Sequence, residues 1–137
     1  MASWELTVDV DVPPGEAWAL VGDPTSVPRW YPKYVACEVD GDTRVLRSAE
    51  GAELRERLIE RDDAARLYSY SVLSGAPVRS HRAGFAVTPR EGGCRIAWWT
   101  EAEPADPSAD LEGRLTPTQT DALGRMKEIL EEGRGAS

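Results

Sequence analysis

Apolar and polar residues alternate with a period of two along most of this chain, which is the pattern of β-strands with one face exposed to water. The first strand is the clearest case, because every second residue from position 4 to position 12 is Trp, Leu or Val. A Pro-Pro-Gly run at 13–15 ends it, and proline suits the first turn of a helix. The residues that follow predict two short helices before a second strand at 34–39 and a third at 43–48.

The stretch from 51 to 87 predicts three consecutive antiparallel strands whose apolar faces also carry polar side chains. The inward residues, strand by strand, are Leu54, Glu56 and Leu58, then Tyr68, Tyr70 and Val72, then His81, Ala83, Phe85 and Val87. A carboxylate, two phenols and the only imidazole of the chain thus point the same way. Such a mixture is typical of a pocket lining rather than of a finished core.

The last strand and a long helix complete the predicted order. Residues 94–101 alternate so that Trp98 and Thr100 face inward and Trp99 faces outward. Thr116, Pro117 and Gln119 form a capping box, which predicts a helix from there to about position 132. We therefore predict an α+β fold, a seven-stranded curved antiparallel sheet wrapped around a long C-terminal helix, with two short helices between strands 1 and 2. A cavity between sheet and helix follows, because one helix does not fill a wide trough.

Composition and charge narrow the kinds of partner. The chain has 137 residues, 41% of them hydrophobic, and a net charge of −8, which fits a single domain over residues 1–137. The acidic balance argues against nucleic acid, and no apolar run is long enough for membrane insertion. We expect a cytoplasmic protein, a monomer or homodimer, whose partner is a small hydrophobic ligand or substrate. Metal-ligand spacings and cofactor motifs are absent from the sequence, so we predict no metal and no cofactor.

Several short motifs, in order along nearly the whole chain, resemble those of the START-like or SRPBCC superfamily. The run PPGEAWALVGD at 13–23 looks like its opening pattern, and WYP at 30–32 looks like the W-x-P that follows. The segment ERLIERDD at 56–63, YSY at 68–70, PV at 77–78 and Trp98 also match. This superfamily has the helix-grip fold and includes polyketide cyclase/dehydrase-like proteins, birch-pollen-allergen-like proteins and the plant abscisic acid receptors.

The resemblance implies a hydrophobic cavity for a small, mostly apolar molecule. In the abscisic acid receptors, the positions matching Glu56, Tyr70 and Val72 line the cavity, and the loop matching 74–78 is a gate. The chain departs from the pattern at two places. His81 stands where a tyrosine is usual, and the receptors' His-Arg-Leu latch is replaced by APVR at 76–79. The resemblance therefore supports the cavity and not a hormone-receptor role.

We predict Glu56, His81 and Tyr70 as catalytic residues. Burial between leucines would raise the pKa of Glu56 and suit it to acid–base chemistry, whereas the alternative is a structural ion pair with an arginine such as Arg47. His81 would share the proton transfer or be a hydrogen-bonded rim residue. Tyr70 would hold a carbonyl oxygen or belong to the core. The predicted ligand-binding residues are Trp30, Leu54, Leu58, Tyr68, Val72, Pro77, Val78, Ala83, Phe85, Trp98, Thr100 and Leu123.

Three functions remain open from the sequence. The first is an enzyme of the aromatase/cyclase or dehydratase type, in which the inward acid–base groups act on a folded β-keto chain. The second is a non-catalytic binding or carrier protein for a hydrophobic metabolite. The third is a protein-partner module with Trp99 at a dimer contact. An enzyme needs Glu56 or His81 for turnover, whereas a carrier uses the same residues for recognition only.

Overall fold

The computed structural model describes residues 1–135 and contains one seven-stranded antiparallel sheet, two short helices and one long helix. This confirms the predicted architecture. Among the described residues, no helix is both long and apolar enough to cross a bilayer. The elements in chain order are β1 (Ala2–Val10), α1 (Pro14–Val21), α2 (Val27–Trp30), β2 (Tyr34–Asp40), β3 (Thr43–Ser48), β4 (Glu53–Asp62), β5 (Leu67–Ser74), β6 (Val78–Arg90), β7 (Gly93–Pro104) and α3 (Leu111–Gly135).

The sheet is a meander from β2 to β7, and β1 returns to pair with β7 at the edge opposite β2. β1 is paired along its whole length, from Ala2 opposite Ala102 to Val10 opposite Cys94. Register shifts interrupt β2, β4 and β6, and such bulges bend a strand and increase its twist. The sheet is therefore curved, with its concave face toward the helices.

The outer face of the sheet carries one close packing contact. Trp99 lies opposite Gly84 on the neighbouring strand, where a Cβ atom would come within 2.7 Å of the indole ring. Glycine is required at this position because any larger residue would displace the ring. Trp99 is half-buried in this contact, while Trp98 points to the concave side.

The long helix packs on the concave face through an apolar stripe. Ala122, Leu123 and Met126 are buried in the main core together with residues of α1, α2 and the sheet. Near the helix C-terminus, the Lys127 ammonium donates a hydrogen bond to the backbone oxygen of Asp9 at 2.9 Å. The helix depends on this packing for its stability, because isolated helices are only marginally stable in water.

The start of α3 differs from the sequence prediction. The helix begins at Leu111, and the predicted cap Thr116 and the Pro117 that follows it lie inside the helix. The cap is Asp110, whose Oδ1 accepts a hydrogen bond from the backbone N–H of Gly113 at 3.0 Å. Leu111 is buried in a second apolar cluster with β1 and β7. Burial of the Leu111 side chain helps to offset the backbone hydrogen bond that proline cannot make.

Candidate functional site

A cavity of about 310 Å³ lies between the concave face of the sheet and α3. Ligand pockets in proteins are commonly about 300–1,000 Å³, so this cavity suits a small molecule. Its lining comes from α2, from β2 to β7, from two loops and from the first turns of α3. The lining residues are Val27, Trp30, Tyr31, Lys33, Tyr34, Arg44, Leu46, Leu54, Glu56, Tyr70, Val72, Gly75, Ala76, Pro77, Val78, His81, Phe85, Trp98, Thr100, Leu111, Arg114, Leu115 and Gln119.

The structure brings most of the predicted site residues to this cavity, including all three proposed catalytic residues. Four predicted ligand-binding residues do not line it. Ala83 and Leu123 are buried in the apolar core, where sheet and helix are in direct contact. Leu58 and Tyr68 line a separate hollow of about 100 Å³. Leu58 does share the inner face with Glu56, in regular register opposite Tyr70, but it lies farther along β4, where the side chains border the smaller hollow.

An aromatic wall forms the apolar side of the cavity. The rings of Phe85 and Trp98 are stacked with centroids 4.7 Å apart, and Trp30 meets both of them edge-on at 5.6 and 5.9 Å. The Trp30 indole N–H donates to the hydroxyl of Ser26 at 3.0 Å, which holds the ring in place. Such fixed rings offer a flat apolar body a large contact area at small entropic cost.

The polar side of the cavity is built on a buried ion pair between Arg44 and Glu56. The Arg44 Nε and Nη2 atoms donate to the same carboxylate oxygen, Glu56 Oε1, at 2.9 and 2.7 Å. A third donor, Arg44 Nη1, reaches the backbone oxygen of Pro24 at 3.1 Å. Arg44 and Glu56 are 2% and 4% exposed, so each charge depends on the other for its neutralisation.

The partner of Glu56 is thus Arg44, and the suggestion of Arg47 was wrong. The strand register explains the difference, because Arg44 lies directly opposite Glu56 while Arg47 lies opposite Glu53. Arg47 binds Glu53 at the surface. Arg44 and Leu46 are two residues apart on β3, and this spacing could have identified Arg44 as an inward residue. The sequence analysis did not consider Arg44 because charged side chains are rarely fully buried.

The Glu56 carboxyl group keeps one oxygen available to the cavity. Burial raises its pKa above the ordinary value, and the charge and hydrogen bonds of Arg44 oppose that shift. Among residues 1–132, whose side chains the structure describes, no donor reaches Oε2. Since arginine does not release its proton in proteins, protonation of Glu56 would leave an uncompensated buried charge. Oε2 is therefore a hydrogen-bond acceptor for a bound molecule.

Tyr70 supplies a hydroxyl group beside this carboxylate. Its oxygen accepts a hydrogen bond from the indole N–H of Trp98 at 3.0 Å, and its ring lies 5.0 Å from the guanidinium carbon of Arg44. Burial raises the pKa of Tyr70 well above the ordinary value, so the phenol stays neutral. Its own proton remains available for donation to a ligand oxygen.

His81 occupies a gap where two neighbouring strands separate. The ladder between β5 and β6 ends at the pair Tyr70 and Ala83. Beyond it, the backbone N–H of Val72 donates to His81 Nδ1 at 3.3 Å, so the neutral ring carries its proton on Nε2. Burial lowers the pKa of His81 to about 4. At neutral pH the ring is thus a hydrogen-bond donor and not a cationic acid.

The exposed part of the cavity lining, which we call the mouth, comprises Lys33, Gly75, Pro77 and Arg114. Gly75 has a φ of +97°, and a side chain there would collide with the backbone of β4. The Pro77 carbonyl accepts a hydrogen bond from the N–H of Ala105 at 3.0 Å. The β5–β6 loop, which matches the gate of the receptors, is therefore tied at its Pro77 end and borders the opening.

The sequence analysis did not predict several further lining residues. The contributions of Leu111, Arg114 and Leu115 were missed because the helix was expected to begin later. Tyr31 and Tyr34 belong to an aromatic cluster that the sequence does display, and that cluster was the signal for them.

Comparisons with known proteins give one family and a consistent set of folds. The sequence profile of the family described as "Polyketide cyclase / dehydrase and lipid transport" matches residues 1–131. The protein XoxI from Bacillus cereus is 22% identical with a TM-score of 0.86, covering 95% of this chain and 96% of that one. A protein from Thermobifida fusca is 28% identical with a TM-score of 0.78, covering 96% and 95%.

One similar structure comes from a characterised pathway. The di-domain ARO/CYC BexL from the BE-7585A biosynthetic pathway is 22% identical with a TM-score of 0.82. The alignment covers 96% of this chain but 47% of BexL, so the chain corresponds in length to about half of that protein. Among curated protein sequences, none matches the chain.

The ion pair makes a testable contribution to stability. Replacing Glu56 alone with leucine is expected to lower the free energy of unfolding by about 3–5 kcal/mol, because Arg44 becomes a buried unpaired charge. The double variant R44M/E56L removes both charges and should recover most of that loss. Urea denaturation followed by tryptophan fluorescence measures both. E53L, which breaks the surface pairs of Glu53 with Arg47 and Arg55, should cost only about 1 kcal/mol. Equal losses for E56L and R44M/E56L would contradict the assignment.

His81 should make stability depend on pH. Its folded-state pKa of about 4 lies below the ordinary 6.5, so the unfolded chain takes up the proton first. The contribution of His81 is complete above pH 6.5 and is lost as the pH falls toward 4. In His81→Asn, the amide oxygen can still accept the Val72 N–H without titrating. Urea unfolding between pH 4 and 7 should show a flatter profile for H81N, and identical profiles would refute this role.

Proposed function

The chain belongs to the polyketide cyclase / dehydrase and lipid transport family, and we propose that it binds a small, mostly apolar molecule in the cavity between the sheet and α3. The START-like/SRPBCC resemblance of the sequence is confirmed by this membership. The observation that carries the proposal is the cavity itself. Its lining combines three polar groups, from Glu56, Tyr70 and His81, with an aromatic wall. An apolar pocket with a few convergent polar groups is the usual form of a small-molecule site.

The polar groups suit a ligand that has an oxygen atom at its inner end. Glu56 Oε2 accepts a hydrogen bond, while the Tyr70 hydroxyl and His81 Nε2 each donate one. A hydroxyl or phenol group satisfies this set by donating to the carboxylate and accepting from one of the donors. A carbonyl oxygen is served by the donors alone, which would leave the carboxylate free to act on a neighbouring C–H bond. We therefore propose an aromatic, polyketide-like or lipid-like ligand with a hydroxyl or carbonyl group.

A second candidate function is catalysis on the same ligand, by cyclisation or dehydration. It is favoured by the position of Glu56, whose raised pKa and free Oε2 suit proton transfer at a carbon next to a carbonyl group. Tyr70 would hold the carbonyl oxygen as negative charge develops on it. His81 would act as a hydrogen-bond donor. The rigid wall would restrict a flexible chain to one folded form, which lowers the entropic part of the barrier.

Binding is tested with N-phenyl-1-naphthylamine, a neutral probe whose fluorescence rises in apolar surroundings. The wild-type protein should bind it saturably. Leu54→Trp, which places an indole in the cavity, should raise the Kd at least about tenfold, the equivalent of about 1.4 kcal/mol. Leu73→Trp is the matched control, because Leu73 is exposed on the neighbouring strand. The proposal fails if no binding occurs, or if both variants bind the probe like the wild type.

Catalysis is tested with 1-tetralone, a small aromatic ketone whose α-protons exchange slowly in D₂O. If Glu56 is a general base, the protein should accelerate this exchange by about 10²–10⁴-fold, as measured by proton NMR. R44M/E56L, which keeps an apolar cavity without the carboxylate, should bind tetralone and show only the background rate. Bound tetralone with no acceleration in the wild type would favour the carrier function over the enzyme.

A further inference from the structure

The cavity wall is opposite in charge to the chain as a whole. The chain carries a net charge of −8, whereas the cavity is lined by three cations, Lys33, Arg44 and Arg114, and one carboxylate, Glu56. The wall therefore has a net charge of +2 while its histidine is neutral. Within the wall, Arg44 is neutralised by Glu56 at 2.7 Å. The net charge of +2 is therefore carried by Lys33 and Arg114.

These two cations come from different segments, and both belong to the mouth. Lys33 lies between α2 and β2, and its ammonium is 5.6 Å from the ring centre of Tyr34, another lining residue. Arg114 lies in the first turns of α3. Within the part of the chain whose side chains the structure describes, residues 1–132, neither forms an ion pair. The positive charge of Arg114 contributes to lowering the pKa of Asp106, but the two residues form no ion pair. Asp106 Oδ1 instead accepts two hydrogen bonds from Ser108.

We propose that the ligand is an amphipathic small molecule with an anionic group, which lies between Lys33 and Arg114 while its apolar part occupies the aromatic cavity. This inference rests on the proposed function and specifies the class of its ligand. Two unpaired cations at the opening of an apolar cleft attract an anion, and the guanidinium fork matches a carboxylate or phosphate. The acidic remainder of the surface repels a large polyanion, so a free small molecule fits the mouth better than an acidic protein does.

The test compares two probes that share one aromatic skeleton. 8-Anilino-1-naphthalenesulfonate carries a sulfonate, and N-phenyl-1-naphthylamine lacks it. At low salt, the wild-type protein should bind the sulfonate about five- to tenfold more tightly, and 0.5 M salt should reduce this preference. K33Q/R114Q should abolish the preference and leave the Kd of the neutral probe within about twofold. R57Q/R82Q, a control that removes two arginines outside the cavity lining, should keep it.

The outcomes separate this inference from the proposed function. Equal Kd values for the two probes in the wild type would overturn the inference and leave the proposed function intact, and so would a preference that survives in K33Q/R114Q. If neither probe binds, the proposed function fails and the inference fails with it. Displacement of the neutral probe by 2-naphthoate and by 2-naphthyl phosphate then distinguishes a carboxylate ligand from a phosphate. Circular dichroism confirms that each variant is folded.

Discussion

The buried ion pair between Arg44 and Glu56 is the interaction on which the site depends. Two full charges lie inside an otherwise apolar trough, and neither is tolerated there without the other. The pair joins β3 to β4 and, through the carbonyl of Pro24, to the segment before α2. It also keeps the interior from closing as an ordinary hydrophobic core, because apolar side chains packed over the free carboxylate oxygen would leave it unsatisfied. The ion pair thus accounts for the polar side of the cavity.

The shape of the sheet explains why there is room for a ligand. β5 and β6 pair only from Leu67 opposite Ala86 to Tyr70 opposite Ala83, and beyond this point the strands separate. The ring of His81 takes over one backbone hydrogen bond in the gap, while the loop after β5 borders the opening. At its other end the same trough is closed by Leu123, Met126 and the core of the sheet. One end of the fold is therefore a packed core and the other is a site.

The arrangement favours recognition as its basic function, with catalysis as an addition that the same residues would permit. Glu56, Tyr70 and His81 each have one hydrogen-bonding position committed to the protein and another left for a ligand. The hydrogen bonds to the protein fix the orientation of these side chains, and a fixed orientation favours both binding and proton transfer. The decisive difference between a carrier and an enzyme is whether Glu56 exchanges a proton with the bound molecule. Its close contact with Arg44 favours the ionised form, whereas its burial favours the neutral one.

The sequence alone determined the fold class and the inward faces of the central strands. Alternation has a period of two whatever the rest of the chain does, so Glu56, Tyr70 and His81 could be assigned to one face and to one pocket. Alternation along a strand does not specify which side chains become neighbours, and the tertiary structure decided this. Strand register selected Arg44 and not Arg47 as the partner of Glu56, and burial of Leu111 added turns to α3 before Thr116. The extent of the cavity also decided the role of Leu58, which shares a face with Glu56 but borders the smaller hollow. Local pattern specifies which face a side chain occupies, whereas its neighbours depend on pairings between distant segments, which form only when the chain is folded.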